Sequence, residues 1–78
     1  HDRYTILDVH SPDRLGFLYN VTKKMNELGL IIYFARISTK GDDIVDSFYV
    51  LDRNGHKVSQ NDYQFIISEL TETITQIL

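Results

Sequence analysis

The chain has 78 residues, a net charge of −3 and no cysteine. This length indicates a single domain, residues 1–78, and the missing cysteines exclude disulfides, thiol nucleophiles and thiolate metal sites. The acidic balance argues against a nucleic-acid partner, and no stretch of 18 apolar residues is available to span a membrane.

The first predicted element is a strand over residues 4–10, where apolar and polar side chains alternate. Leu7 and Val9 share one face, which we expect helices to cover. Asp8 and His10 share the opposite face with two apolar neighbours, so that face should be only partly exposed to solvent.

The strand leads into Ser11-Pro12-Asp13-Arg14-Leu15-Gly16-Phe17-Leu18, the one stretch where the sequence predicts a binding site. Pro12 ends the strand, because its fixed φ and missing N–H interrupt a ladder. Asp13 is a favourable helix N-cap, and Gly16 in the first helical turn lets a neighbour or a ligand approach the backbone. Free N–H groups in such a turn attract a carboxylate or phosphate. The alternative is a plain strand-to-helix turn that binds nothing.

Two amphipathic helices are predicted. The first covers residues 15–28 and ends at Gly29, a typical C′ residue. Its apolar stripe consists of Leu18, Val21, Met25 and Leu28. Phe17 lies off the centre of this stripe and is either a core-edge residue or a pocket wall. The second helix follows Ser59 as N-cap, with Asp62 imitating a capping box. Its buried stripe consists of Tyr63, Ile66, Ile67, Leu70, Ile74 and Ile77.

Between the helices lies a predicted hairpin. Residues 30–39 carry apolar side chains at both parities, which predicts a central strand covered on both faces. The turn at residues 40–43 contains two aspartates, which we interpret as turn chemistry rather than a metal site. Residues 44–51 form the returning strand. Asn54-Gly55 then predicts a tight turn, with residues 56–58 as a short third arm.

Two charged side chains stand out in this hairpin. Arg36 interrupts the apolar run, and we expect it to form a salt bridge to a neighbouring strand, to Asp8 or to Asp46; a ligand contact is the alternative. Asp46 shares its parity with the apolar Phe48, so we expect it at a strand end, bonded to a backbone N–H or to Arg36.

The order strand, helix, strand, strand, helix predicts an α+β fold. It is a ferredoxin-like split β-α-β sandwich, in which an antiparallel sheet carries two helices on one face. The usual fourth edge strand is missing from the chain, and the short arm, a partner or further sequence could fill its place. Because the chain starts at His1 and ends on Ile77-Leu78, we expect a piece of a longer protein.

Five segments together resemble the ACT domain family. They are Thr5–Val9, Ser11–Leu18, Asn26–Leu30, Ala35–Gly41 and Val45–Asp52, followed by Asn54-Gly55. The subtype is similar to the C-terminal regulatory domains of bifunctional uridylyltransferase/uridylyl-removing enzymes, which modify the nitrogen-regulatory protein PII. Leu15 departs from the usual Pro of that family and Phe17 from the usual Leu, which loosens the loop and changes the shape of the pocket.

The resemblance implies a regulatory module that senses a small amino acid, with glutamine as the expected ligand. The amides of Leu15, Gly16 and Phe17 would hold the ligand carboxylate, and the Asp13 carboxylate would bind its ammonium group. A strand of a neighbouring ACT domain, or of a second copy in a homodimer, would supply the second wall. The ligand-binding residues expected are Ser11, Pro12, Asp13, Arg14, Leu15, Gly16, Phe17 and Leu18.

No catalytic, metal or cofactor site is expected in this chain. The catalytic residues of the parent nucleotidyltransferase would lie outside these 78 residues, PII would be reached through that enzyme, and the location would be cytoplasmic. Three alternatives stay open: an interaction module without ligand, an acylphosphatase-like enzyme using Arg14, and an RNA binder using Tyr33, Phe34 and Tyr49. Asn20 inside the helix and the acidic balance oppose the last two.

Overall fold

The computed structural model of the chain describes residues 1–11 and 16–77. Its elements are β1 (Thr5–Ser11), α1 (Phe17–Glu27), β2 (Ile31–Lys40), β3 (Asp43–Leu51) and α2 (Gln60–Ile77). The strands form one sheet in the order β1-β3-β2, and β3 is antiparallel to both neighbours. The predicted α+β, ferredoxin-like β-α-β-β-α arrangement is therefore confirmed.

The prediction that the second strand is central is wrong. β3 lies in the middle of the sheet and β2 lies at an edge. Large apolar side chains of β2 are correspondingly exposed, with Tyr33 at 63% and Ile37 at 67%. The reason is that β1 pairs with β3, so the crossover through α1 delivers β2 to the far side of β3.

The core lies between the sheet and the two helices. Its buried side chains come from β1, α1, β3, α2 and the connections before β2 and α2, and are Leu7, Val9, Phe17, Val21, Met25, Leu30, Phe48, Val50, Val58, Ile66 and Leu70. Val21 and Met25 of α1 are completely inaccessible to solvent. Burying a side chain of this size stabilises the fold by about 1.5–3 kcal/mol. The predicted helix stripes and the buried face of β1 are thus confirmed.

The segment between β3 and α2 is a loop rather than the predicted third arm of the sheet. The Asp52 carboxylate accepts hydrogen bonds from the backbone N–H groups of Asn54 and His56, both at 2.9 Å. These bonds lower the pKa of Asp52, and the one from His56 has the larger effect. Val58 N–H donates to Thr5 Oγ1 at 3.0 Å. This bond joins the loop to the first residue of β1, and the loop does not pair with β1 as a further strand.

The outer edge of β1 stays open along the described part of the chain. A groove of about 360 Å³ runs between residues 6–9 of β1 and the Tyr63–Ile74 portion of α2. α2 itself begins as predicted, because Ser59 Oγ accepts the Asp62 N–H at 3.3 Å. Among the described residues, no helix is long and apolar enough to cross a membrane.

Candidate functional site

The β1–α1 connection contains the predicted binding stretch. Ser11 is the last residue of β1 and pairs with Ile44 of β3. On the other side, α1 begins at Phe17, with Gly16 as its N-cap in the left-handed region at φ +92°. Pro12, Asp13, Arg14 and Leu15 lie outside the described residues. Ser11 and Gly16 therefore border the part of the predicted site that lies outside the described residues.

The predicted N-cap at Asp13 is wrong, because Gly16 occupies that position and the helix starts two residues later than residue 15. Gly16 thus precedes the helix instead of lying in its first turn. Its positive φ lets the chain turn sharply into α1, a conformation that side chains with a Cβ disfavour. A Cβ built on Gly16 would meet no atom of the described residues within 4 Å.

The start of α1 presents backbone donors without a side-chain cap. The first N–H groups of any helix lack a partner inside the helix. No described side chain caps this end, and the first turn contains no acidic residue. The Gly16 carbonyl, by contrast, is held by Asn20, which donates from its backbone N–H at 3.1 Å and from Nδ2 at 2.8 Å. The helix start is therefore fixed in place and electrostatically suited to an anion.

Phe17 anchors this helix start from the inside. Its side chain is only 2% exposed and belongs to the core cluster, while Leu18 is half-buried against the same cluster. The sequence left open whether Phe17 is a core residue or a pocket wall, and the structure assigns it to the core. The ring therefore sets the position of the first helical turn.

Asp46 is the buried carboxylate nearest in sheet register to this connection. It lies within β3 at 2% exposure, opposite Val9 and Ile37, so the prediction of a strand-end position is wrong. Its expected bond to Arg36 is also wrong, because Arg36 pairs with the next residue, Ser47, and neighbouring residues of a strand point to opposite faces. A backbone N–H partner for Asp46 stays a prediction.

Arg36 lies on the sheet face that no helix covers. There it shares a cross-strand row with Ser47 and Asp8, and Ser47 Oγ donates to Asp8 Oδ1 at 2.6 Å. β3 separates Arg36 from Asp8, and within residues 1–11 and 16–77 Arg36 forms no ion pair. The predicted salt bridge is thus not made inside the described chain.

The same open face carries a cluster of aromatic rings, Tyr4, Tyr33, Phe34 and Tyr49. Phe34 and Tyr49 are stacked with ring centroids 4.1 Å apart, and Tyr4 lies 5.0 Å from Tyr33. Desolvation in this cluster, and then the hydrogen bond with Tyr33, raise the pKa of Tyr4.

A break in strand register explains how the rings meet. It falls between Ile32 and Phe34 of β2 and leaves Tyr33 without a partner opposite. From the sequence, Tyr33, Phe34 and Tyr49 were considered only as stacking residues of an RNA binder.

Among the described residues, no group of three or more His, Cys, Asp or Glu side chains could hold a metal ion.

The fold gives the structural class of the chain, and the match to a family model gives its family. The chain is a two-layer ferredoxin-like domain, in which Gly16 precedes α1 and no described side chain caps that helix. A family model described as the ACR family N-terminal ACT domain matches residues 1–76. The chain therefore belongs to this family of ACT domains.

One curated relative gives a further comparison. Over 55 residues, or 70% of the chain, it is 44% identical to the bifunctional uridylyltransferase/uridylyl-removing enzyme of Rhodospirillum rubrum. The match spans only 6% of the length of that enzyme. No solved structure matches the chain.

Proposed function

We propose that this ACT domain is a sensor of a small amino acid, with glutamine as its ligand, bound at the β1–α1 connection. The observation that carries the proposal is the start of α1, where Gly16 holds a positive φ and no described side chain caps the helix. Backbone N–H groups at such an end bind a carboxylate well. The amides of Leu15, Gly16 and Phe17 would hold the α-carboxylate of the ligand.

The Asp13 carboxylate would bind the ammonium group of the ligand. Gly16 occupies the N-cap position, so capping of α1 does not require the Asp13 side chain. A carboxylate beside backbone donors gives two opposite charges at short range, which suits a zwitterion. The same pair would reject an amine or a carboxylic acid alone.

A neighbouring ACT domain would close the site with one of its strands. The described part of this chain has only three strands, and one sheet face cannot enclose a ligand. Ligand binding would then favour one arrangement of the two domains over another. That shift in population would pass the signal to the rest of the protein.

The parent protein would be a uridylyltransferase/uridylyl-removing enzyme acting on PII. The support is the similarity to the Rhodospirillum rubrum enzyme, of which the match covers a small part. The catalytic residues would lie outside these 78 residues. This domain would adjust their activity to the glutamine level.

Thermal unfolding in the presence of ligand tests the proposal. At a free L-glutamine concentration of about 100 times Kd, binding to the folded state stabilises it by about 2.7 kcal/mol. For a domain of this size, each kcal/mol raises Tm by about 4–8 °C, so the rise should exceed about 10 °C. D-Glutamine and L-glutamate serve as controls. An equal response to all three, or to none, would refute recognition of glutamine.

A second candidate function is that of an interaction module without a ligand. The observation in its favour is the uncovered aromatic face of the sheet, where Tyr33 is 63% exposed. Such a module would self-associate to the same degree with and without amino acids. Stabilisation by L-glutamine in thermal unfolding, which only the sensor should show, separates the two functions.

A further inference from the structure

The uncovered face of the sheet carries more apolar surface than a solvated face needs. Both helices pack on the opposite side, as the buried side chains of β1 and β3 demonstrate. On the open side, Phe34 is 45% exposed and Tyr33 63% exposed, although both rings already contact other aromatic rings. A contiguous apolar patch of this kind marks a surface that another molecule covers.

The pattern of this face is ordered in rows across the three strands. One row is apolar and consists of Ile6, Tyr49 and Phe34. The next row, two residues along each strand, consists of Asp8, Ser47 and Arg36. Each row has β3 in the middle, so Asp8 and Arg36 lie on opposite sides of Ser47.

The charged row is complementary to itself. Rotating a copy of the sheet by 180° about an axis parallel to β3, above Ser47, exchanges the positions of the β1 and β2 residues. Asp8 of each copy then faces Arg36 of the other, which gives two ion pairs. Neither residue has a partner of opposite charge within the described part of its own chain.

The same rotation also pairs the residues of the apolar row. Ile6 of one copy lies over Phe34 of the other, so a small side chain faces a large one on both sides of the axis. Tyr49 meets its own equivalent at the centre. Two sheets packed face to face lie about 10 Å apart, which the aromatic rings can fill.

We propose that a second copy of this chain covers the open sheet face, related by a two-fold axis along β3 that places Asp8 of each copy against Arg36 of the other. The occupant follows from charge: one acidic and one basic residue, placed symmetrically about β3, match an identical surface. The dimer does not depend on ligand binding at the β1–α1 connection, and it leaves the open edge of β1 free.

Exchange of charges between two variants tests the axis directly. In the Asp8→Arg variant two arginines face two arginines across the interface, and in the Arg36→Asp variant two aspartates face two aspartates. Each variant alone should dissociate, with a Kd raised at least about tenfold, because like charges then oppose each other. An equimolar mixture of the two variants restores both ion pairs and should form the heterodimer.

Sedimentation velocity of the 78-residue chain gives the readout. The wild type and the mixture should sediment as two copies of the 9.1 kDa chain, and each single variant as one copy. Circular dichroism checks that each variant is folded. Glu72→Arg, an exposed charge reversal on α2, is the matched control and should leave the dimer intact.

A second pair of variants reports on the apolar part of the face. Tyr33→Ser should weaken the dimer, whereas Tyr19→Ser should not, since Tyr19 is similarly exposed at 68% but lies on α1. A monomeric wild type would overturn the proposal. So would single variants that dimerise like the wild type, or a mixture that stays monomeric while the wild type is a dimer.

Discussion

Replacement of Gly16 by alanine separates the conformation of the helix start from its packing. Gly16 has φ +92°, and a Cβ at this position meets no described atom within 4 Å. No described atom hinders the added Cβ, so the expected cost is that of backbone strain, about 1–2 kcal/mol for an L-residue in the left-handed region. For a domain of this size, that cost lowers Tm by at least about 4 °C.

Gly55→Ala is the matched control for this experiment. Gly55 has φ +80° and equally open space around its Cβ, but it lies in the loop before α2. Both variants should lose the same stability in thermal melts followed by circular dichroism. Only Gly16→Ala should also lose the stabilisation by L-glutamine, because it alone displaces the amides proposed to bind the ligand.

Two results would refute this reasoning. If Gly16→Ala melts at the wild-type temperature, the positive φ is not required at the start of α1. If Gly55→Ala also loses the response to L-glutamine, the loss reflects stability and not the site.

Two further predictions concern the anchor of the helix and the loop before α2. Phe17→Ala should lower the free energy of unfolding by about 3–5 kcal/mol in urea titrations, as for other buried aromatics, and a loss below about 1 kcal/mol would contradict its place in the core. The pKa of Asp52 is lowered in the folded state, so its contribution to stability is present above the ordinary carboxyl pKa of about 3.9 and is lost as the pH falls through the lowered value. Stability measured from pH 6 downward should therefore fall less steeply in Asp52→Asn, and identical profiles would contradict the bonds from Asn54 and His56.

Local signals in the sequence were sufficient to predict the two helices and the three strands. Helical periodicity identified both helices, and Ser59 marked the start of α2 because a capping side chain acts within three residues. Alternation identified the buried face of β1, including Leu7 and Val9. Each of these features depends only on neighbours along the chain.

The order of the strands could not be predicted in the same way, because pairing joins residues far apart in sequence. Apolar side chains at both parities of β2 are equally consistent with burial inside the fold and with contact to another molecule. Ile37 is 67% exposed at the edge, so this pattern does not mark a central strand. The irregularity between Ile32 and Phe34 left no signal in the sequence either.

The turn residues of the sequence predict where the candidate site lies, but they do not predict its geometry. Asp13 and Gly16 are both common next to helix starts, and propensity alone favoured Asp13 as the cap. Burial of Phe17 decides the matter, since the ring reaches the core when α1 begins at that residue. That contact joins the helix to the sheet and is invisible to local patterns.

The most direct test of the proposed sensor is a titration of the ¹⁵N-labelled chain with L-glutamine, followed by amide chemical shifts. We expect saturable shifts confined to residues 13–18, with Gly16 and Phe17 among them, and no such response to D-glutamine or L-glutamate. Amides of residues 13–18 that stay in place at millimolar L-glutamine would contradict a glutamine site at the start of α1.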